Sequence, residues 1–309
     1  MKRMILLIGI MLVFTACTKR VETVGDSKHI DQEKGVEEWI KEGDEAKELD
    51  EKLKCYTHAL DLKPDDVEIR VRLGNVYLNK KGMLDEAIVE YEKIISQKPE
   101  HFWAHNNLGI AYDKKGEWDK AISAYKKAIA VKSDIAAPYC NLGLVYKKQG
   151  KFEVAALVMR QAIAVDPQNA LTHYNLGTLY AEEGLLDDAI PVFKKALSIK
   201  PGFSRARYDL GLVYGKMEMV DAAIAEFKKV IAKYPDYADV HYSIAHEYMK
   251  KERSNLAAEH FYKAGLLYLK QEKRDKALES YEALKQTKSE KYEQILYEKL
   301  YSEEKKGKK

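Results

Sequence analysis

One arrangement of apolar and polar positions recurs along most of the chain at a fixed spacing. An apolar landmark, Leu or Ile, is followed at once by Gly or Ala and, four positions after the landmark, by Tyr. Later in each stretch an Ala precedes a large apolar residue by four positions. The landmarks, 35 and then 34 residues apart, are Leu73, Leu108, Leu142, Leu176, Leu210 and Ile244. The pattern predicts one structural unit repeated six times.

Each unit is predicted to contain two helices. Landmark and Tyr share one face of a first helix, and the later Ala and apolar residue share one face of a second. Gly suits the end of the first helix, because it adopts the left-handed conformation found there. These glycines are Gly82, Gly116, Gly150 and Gly184. Pro cannot continue a helix interior and is expected to follow the second helix. These prolines are Pro99, Pro167, Pro201 and Pro235.

The 34-residue period and these residues resemble the tetratricopeptide repeat, a helix–turn–helix unit. Two short helices cannot bury their apolar faces alone, so repeats of this kind stack on one another. The resemblance implies an all-α fold, an α-solenoid wound as a right-handed superhelix. It also implies a concave groove lined by the first helices.

The repeats predict how the chain is organised. A degenerate repeat is expected at 36–66 and six regular repeats at 67–269. The regular pattern lacks its closing Pro after Phe261, so that helix is expected to continue through Tyr268 and serve two units. A partial repeat and a capping helix, near 289–304, would occupy 270–305, before a basic tail at 306–309.

The first residues are typical of an export signal. A basic start is followed by an apolar run that is too short to span a membrane. The sequence Phe14-Thr15-Ala16-Cys17 resembles the bacterial lipoprotein signal, although that family usually has Leu in place of Phe14. The resemblance implies a signal peptide at 1–16, lipidation of Cys17 and a flexible tether at 17–35. An ordinary secretory signal with a chance Cys is the alternative.

Composition is that of a globular protein with little net charge. The chain has 309 residues, of which 46% are hydrophobic and 33% charged, with a formal net charge of +3. Lys2 and Arg3 contribute two of these charges, so the processed chain would carry about +1. This balance argues against a nucleic-acid partner, which requires a concentrated basic face.

No pattern in the sequence indicates catalysis, and we expect no cofactor and no small-molecule substrate. Glycine-rich phosphate-binding motifs are absent from the sequence. His101 and His105 lie four residues apart but lack an evident third ligand, so a structural role is favoured over a metal site. Cys55 and Cys140 share no metal or disulfide spacing and are expected to be buried thiols.

Candidate binding residues stand immediately before the landmarks. Asn107, Asn141 and Asn175 occupy this position in successive repeats, followed by Asp209. Asn both donates and accepts hydrogen bonds, so a row of Asn can hold the backbone of an extended peptide. The row resembles the asparagine ladder in the repeats of O-linked N-acetylglucosamine transferase. Asn is also common at this position throughout the repeat family, which is the alternative explanation.

Apolar, aromatic and basic residues flank that row in the sequence. Aromatic and aliphatic anchors with a Lys fringe suit an extended or helical partner segment of some acidic character. Packing between repeats and solubility are the alternative explanations. These flanking residues are Ile110, Leu144, Tyr174, Tyr208, Tyr242, Lys114 and Lys148.

Together these features resemble a bacterial tetratricopeptide-repeat lipoprotein. The resemblance implies a non-catalytic scaffold or adaptor that binds protein or peptide partners at the cell envelope. Thr18 after the acylated Cys favours the periplasmic side of the outer membrane, if the source has two membranes. The alternative is a structural component of an envelope machine, such as one for type IV pilus assembly or secretion.

Overall fold

A computed structural model describes residues 34–301, and within that range the chain is helical without strands. The predicted signal peptide, Cys17, nearly all of the tether and the basic tail lie outside the described residues. Contacts divide the chain into two units, with the boundary in the sequence between Lys115 and Gly116. The helices of the first unit are α1 (Val36–Glu45), α2 (Leu49–Leu62), α3 (Val67–Asn79), α4 (Leu84–Gln97) and α5 (Phe102–Lys115).

The second unit continues the same alternation of paired helices. It contains α6 (Trp118–Val131), α7 (Ala136–Lys148), α8 (Phe152–Val165), α9 (Ala170–Glu182), α10 (Leu186–Ile199), α11 (Ser204–Lys216), α12 (Val220–Lys233), α13 (Ala238–Lys250), α14 (Ser254–Lys270), α15 (Arg274–Lys285) and α16 (Glu290–Tyr301). Within each unit, consecutive helices pack against one another along the chain. The predicted all-α solenoid of helix pairs is confirmed.

Small residues beside the landmarks allow the two helices of a repeat to pack closely. A Cβ added at Gly177 would lie 2.9 Å from the ring of Phe193, and one at Gly74 would lie 2.9 Å from the ring of Tyr91. Both rings are fully buried. In the degenerate first repeat, Gly43 approaches Tyr56 in the same way, although α1 is only 10 residues long.

Helix ends follow the predicted Gly and Pro signals. The four glycines that follow first helices have φ between +72° and +84°. Glu218 and Glu252 occupy the equivalent positions in later repeats with φ of +58° and +57°, a conformation that costs a residue with a Cβ about 1 kcal/mol. Second helices end two residues before each predicted Pro, as at Val165 and Pro167.

A polar side chain three positions before each landmark ties the first helix to the preceding turn, a role that the sequence pattern did not reveal. In every regular repeat this side chain approaches the backbone carbonyl six residues earlier. Examples are His173 Nε2 to Pro167 O at 3.1 Å, and Arg207 to Pro201 O at 3.0 Å. A net hydrogen bond of this type contributes about 1 kcal/mol. The predicted structural role of His105 is confirmed, since its Nε2 lies 2.7 Å from Pro99 O.

The C-terminal end departs from the regular pattern as predicted. Helix α14 has 17 residues, includes Tyr268 and contacts both α15 and α16. A Cβ added at Gly265 would lie 2.7 Å from Leu296, so α16 covers this helix closely. The predicted capping helix corresponds to α16, which begins at Glu290 and ends at Tyr301.

Candidate functional site

The first helices of the second unit lie side by side and carry most of the predicted binding residues. Contacts join α7 to α9, α9 to α11, and α11 to α13. Because the repeats are in register, equivalent residues form rows across these four helices. We call this surface the first-helix face.

Two of the predicted ladder residues on this face, Asn175 and Asp209, each use one polar atom to link neighbouring repeats. Asn175 Nδ2 donates to Cys140 Sγ at 3.3 Å, and Asp209 Oδ2 accepts from the Tyr174 hydroxyl at 2.8 Å. Both Asn175 and Asp209 are partly exposed. Asn175 Oδ1 and Asp209 Oδ1 have no hydrogen-bond partner within residues 34–301. Each therefore presents an acceptor that a ligand could use. Asn141 is also partly exposed on α7.

The predicted tyrosines contribute to packing as well as to the surface. Tyr174 is only 8% exposed, and its ring packs against that of Phe203 at a tilt of 45° with centroids 4.9 Å apart. Tyr208 lies beside Tyr237 at 5.6 Å and its hydroxyl is 3.2 Å from Ser243 Oγ. For Tyr174 these contacts favour the alternative explanation that it packs between repeats.

Phe203 and Tyr237 are aromatic residues of this face that sequence reasoning missed. Each stands immediately before a first helix, α11 or α13, and packs on the tyrosine of the preceding repeat. Their separation of one repeat length was the signal that could have revealed them. Tyr242 has a different environment, with its ring edge-on to His246 and to Phe261.

The polar pair formed by Tyr174 and Asp209 is held in a low-dielectric environment. Burial raises the pKa of the Asp209 carboxyl, and the Tyr174 hydrogen bond opposes that rise. Burial, followed by the hydrogen bond to Asp209, raises the pKa of the Tyr174 hydroxyl. Tyr174 therefore stays protonated and donates to Asp209 at neutral pH, since both effects act against its ionisation.

A cavity of about 170 Å³ opens between α9 and α11 beside this pair. Its apolar lining includes Phe193, Leu212 and Val213, and its polar lining includes Asp209 and Lys216. An apolar floor with a few polar groups is typical of pockets that accept a ligand side chain. Leu144 occupies the position equivalent to Leu212 on α7 and is partly exposed.

The lysines beside the face have mixed roles. Lys148 and Lys216 are exposed at the ends of α7 and α11. Lys250 instead donates to the Gly215 carbonyl oxygen at 2.8 Å, and Lys147 pairs with Glu182 at 2.7 Å. Lys250 and Lys147 therefore contribute to contacts between neighbouring repeats.

In the first unit, the predicted site residues on α5 take part in internal contacts. Asn107 Nδ2 donates to Asn75 Oδ1 at 2.9 Å, and Asn107 Oδ1 accepts from Asn106 at 3.0 Å. Lys114 donates to the Leu78 carbonyl oxygen at 3.0 Å. Ile110 is partly buried. Asn107 thus already uses both of its polar atoms, unlike Asn175.

Family comparisons agree with this repeat geometry. The family described as TPR repeat matches residues 78–116 and 114–150, and families described as tetratricopeptide repeat match 140–202, 180–246 and 261–287. The chain belongs to the tetratricopeptide-repeat family. No curated protein matches it.

Several solved structures share the fold of this tetratricopeptide-repeat protein. YrrB, described as a TPR protein with an unusual peptide-binding site, is 24% identical, with a TM-score of 0.52 over 62% of this chain and 97% of its own. Cut9 in the APC/C hetero-tetramer Cut9–Hcn1 is 23% identical, with a TM-score of 0.59 over 82% of this chain and 48% of its own. MamA from Desulfovibrio magneticus RS-1 is 22% identical, with a TM-score of 0.52 over 55% and 96%.

Residues 34–301 contain neither a membrane-spanning helix nor a cluster of metal-binding side chains. Between residues 34 and 301, no helix combines the length and apolar character needed to cross a bilayer. Over the same range, His, Cys, Asp and Glu side chains do not gather in threes at a distance suited to a metal ion. His101 caps its helix instead, since its Nδ1 accepts from the Ala104 backbone N–H at 3.1 Å.

Proposed function

We propose that this protein is a non-catalytic interaction scaffold whose first-helix face binds an extended segment of a partner protein. The observation that carries the proposal is the pair of acceptor oxygens, Asn175 Oδ1 and Asp209 Oδ1, on adjacent first helices beside an open cavity. The same fold carries a peptide-binding site in YrrB.

The spacing of the helices suits an extended peptide. Packed helices lie about 8–10 Å apart, and a peptide in the polyproline II conformation advances about 3.1 Å per residue with three residues per turn. Three peptide residues therefore span one repeat, and because every third residue has the same orientation, one backbone N–H can reach Asn175 and another can reach Asp209. The cavity between α9 and α11 would receive one apolar side chain of the peptide. Lys216 would favour an acidic residue next to that side chain in the peptide.

The isolated protein allows a direct test with peptides selected from a random display library. We expect the double variant Asn175→Ala/Asp209→Ala to bind a selected peptide at least tenfold more weakly. The variant loses two hydrogen bonds to the peptide, one to an amide oxygen and one to a carboxylate oxygen. Gln161→Ala is the matched control, since Gln161 is exposed on a second helix. Unchanged affinity in the double variant, with normal helix content, would show that peptides bind elsewhere.

We further propose that the chain is exported and anchored to the cell envelope by a lipid on Cys17. The lipoprotein-like sequence Phe14-Thr15-Ala16-Cys17 supports this proposal. Several buried acyl chains, at about 0.8 kcal/mol per CH₂, would hold the protein firmly on a membrane. Labelling with a palmitate analogue should mark the wild type and fail to mark Cys17→Ser. Equal labelling of both would contradict lipidation at this residue.

A further inference from the structure

A second opening, on the other side of the helix pair formed by α9 and α10, is larger than the cavity on the first-helix face. It encloses about 460 Å³ between α8, the end of α9 and the start of α10. Phe152, Ala156 and Leu179 form its apolar lining, and Glu153 and Glu183 stand at its edge. We call it the acid-rimmed cleft.

The contact between α8 and the end of α9, where the cleft opens, differs from the equivalent contacts between other repeats. At four other contacts between neighbouring repeats, a polar residue at the end of a first helix bonds an Asp at the start of the preceding second helix, 30 residues earlier. These links are Lys80–Asp50, Lys115–Asp85 at 2.5 Å, Gln149–Asp119 at 3.0 Å and Lys251–Asp221 at 2.5 Å. In the acid-rimmed cleft the same two positions hold Glu183 and Glu153, and neither carboxylate has an ion-pair partner in the described part of the chain. The Lys or Gln found at those four contacts is replaced here by a second carboxylate, whereas the next contact along the chain pairs Asp187 with Met217 and holds only one carboxylate.

A second departure from the repeat pattern opens the space. Four other second helices carry Ile at the position of Ala156, namely Ile88, Ile122, Ile190 and Ile224. The shorter side chain of Ala156 leaves room beside the two carboxylates. Leu185, at the mouth of the cleft, is 49% exposed and adds an apolar edge. The small side chain of Ala156 and the carboxylate of Glu183, in place of a linking Lys or Gln, therefore occur at the same contact between repeats.

The charges that face the cleft are unbalanced. Glu153, Glu183 and Asp188 contribute three carboxylates, and Arg160 contributes one guanidinium. Arg160 donates to the Tyr180 hydroxyl at 3.3 Å and forms no ion pair with Glu153 or Glu183 within residues 34–301. A bound cation would restore the arrangement found at three other contacts between repeats, where a Lys pairs with the carboxylate at the position of Glu153.

We propose that the acid-rimmed cleft binds a Lys or Arg side chain of a partner protein, with its ammonium or guanidinium group between Glu153 and Glu183. The aliphatic part of that side chain lies on Ala156 and Leu179, as long basic side chains do on apolar surfaces. This site is separate from the first-helix face and does not depend on the function proposed for it.

The test uses two blocked pentapeptides, one with a central Lys between two Leu and one with norleucine in place of that Lys. Binding to the purified protein is followed by NMR titration. We expect the Lys peptide to shift the amide signals of Ala156 and Leu185 and to bind at least fivefold more tightly than the norleucine peptide. Equal affinities, or no shift at the cleft with millimolar Lys peptide, would overturn the proposal.

Variants of the cleft sharpen the test. Glu183→Lys supplies the missing cation in cis and should abolish the preference for the Lys peptide. Ala156→Ile restores the side chain of the neighbouring repeats and should weaken both peptides at least fivefold without loss of helix content. Asp187→Asn, at an exposed carboxylate that does not line the cleft, is the matched control. Unchanged peptide binding in Ala156→Ile would overturn the proposal. The variant Asn175→Ala/Asp209→Ala should bind both pentapeptides as the wild type does, which separates the cleft from the first-helix face.

Discussion

Replacement of Gly211 by Ala tests the packing on which each repeat depends, because two known effects act in opposite directions. In an unobstructed helix interior, Gly→Ala stabilises by about 1 kcal/mol. In α11 the new Cβ would lie 2.6 Å, 2.8 Å and 3.0 Å from three ring atoms of Phe227, which is 1% exposed. Ordinary carbon contacts are about 3.5–4.0 Å. The ring must therefore move by roughly 1 Å within a close-packed core.

Overpacking of this size costs about 1–3 kcal/mol, and the gain in helix propensity offsets only part of it. We expect Gly211→Ala to lower the free energy of unfolding by about 1 kcal/mol, measured from the urea midpoint by circular dichroism. In a Phe227→Leu background the penalty should shrink, because the smaller side chain leaves space. If Gly211→Ala raises the urea midpoint in the wild-type background, the inferred helix contact is wrong.

Three further predictions concern local features. Glu218→Gly should stabilise by about 0.5–1 kcal/mol in urea denaturation, since φ is +58° there; a lower midpoint would contradict this. Burial, together with repulsion from His241, lowers the pKa of His260 from 6.5 to about 4. Between these two pH values the unfolded chain binds more protons than the folded chain. The free energy of unfolding should therefore fall as the pH drops from about 6.5 to 4. His260→Phe should flatten that pH profile, and an unchanged slope would exclude His260 as its source. His173→Phe should cost about 1 kcal/mol in thermal melts by removing the donor to Pro167 O, and an unchanged melting temperature would argue against this bond.

Much of the fold could be predicted from the sequence because its determinants recur. The landmark, the small residue after it, the Tyr and the Ala recur with a period that predicts the positions of both helices. Gly184 and Pro201 mark where helices end. The long helix α14 was predicted from the absence of a closing Pro. These are local signals, and each was reinforced by its copies in other repeats.

The binding residues were harder to predict, because hydrogen-bond partners one repeat away cannot be deduced from a residue's own position. Asn107 and Asn175 occupy equivalent positions, yet Asn107 uses both polar atoms internally and Asn175 uses one. The difference depends on neighbours, such as Asn75 beside Asn107. The acid-rimmed cleft could not be predicted either. Glu153 and Glu183 stand out only when the Lys–Asp and Gln–Asp bonds at the equivalent positions of other repeats are known.

Site-specific photo-crosslinking in intact cells of the source organism tests the central claim, that the first-helix face holds a partner segment. A photoreactive residue is placed at Leu212, which lines the cavity of that face, or at Gln161 on a second helix. We expect a discrete partner band from position 212 that disappears in the Asn175→Ala/Asp209→Ala background, and no such band from position 161. A band from position 161 alone, unaffected by the double variant, would contradict the claim and favour a structural component held through its second helices.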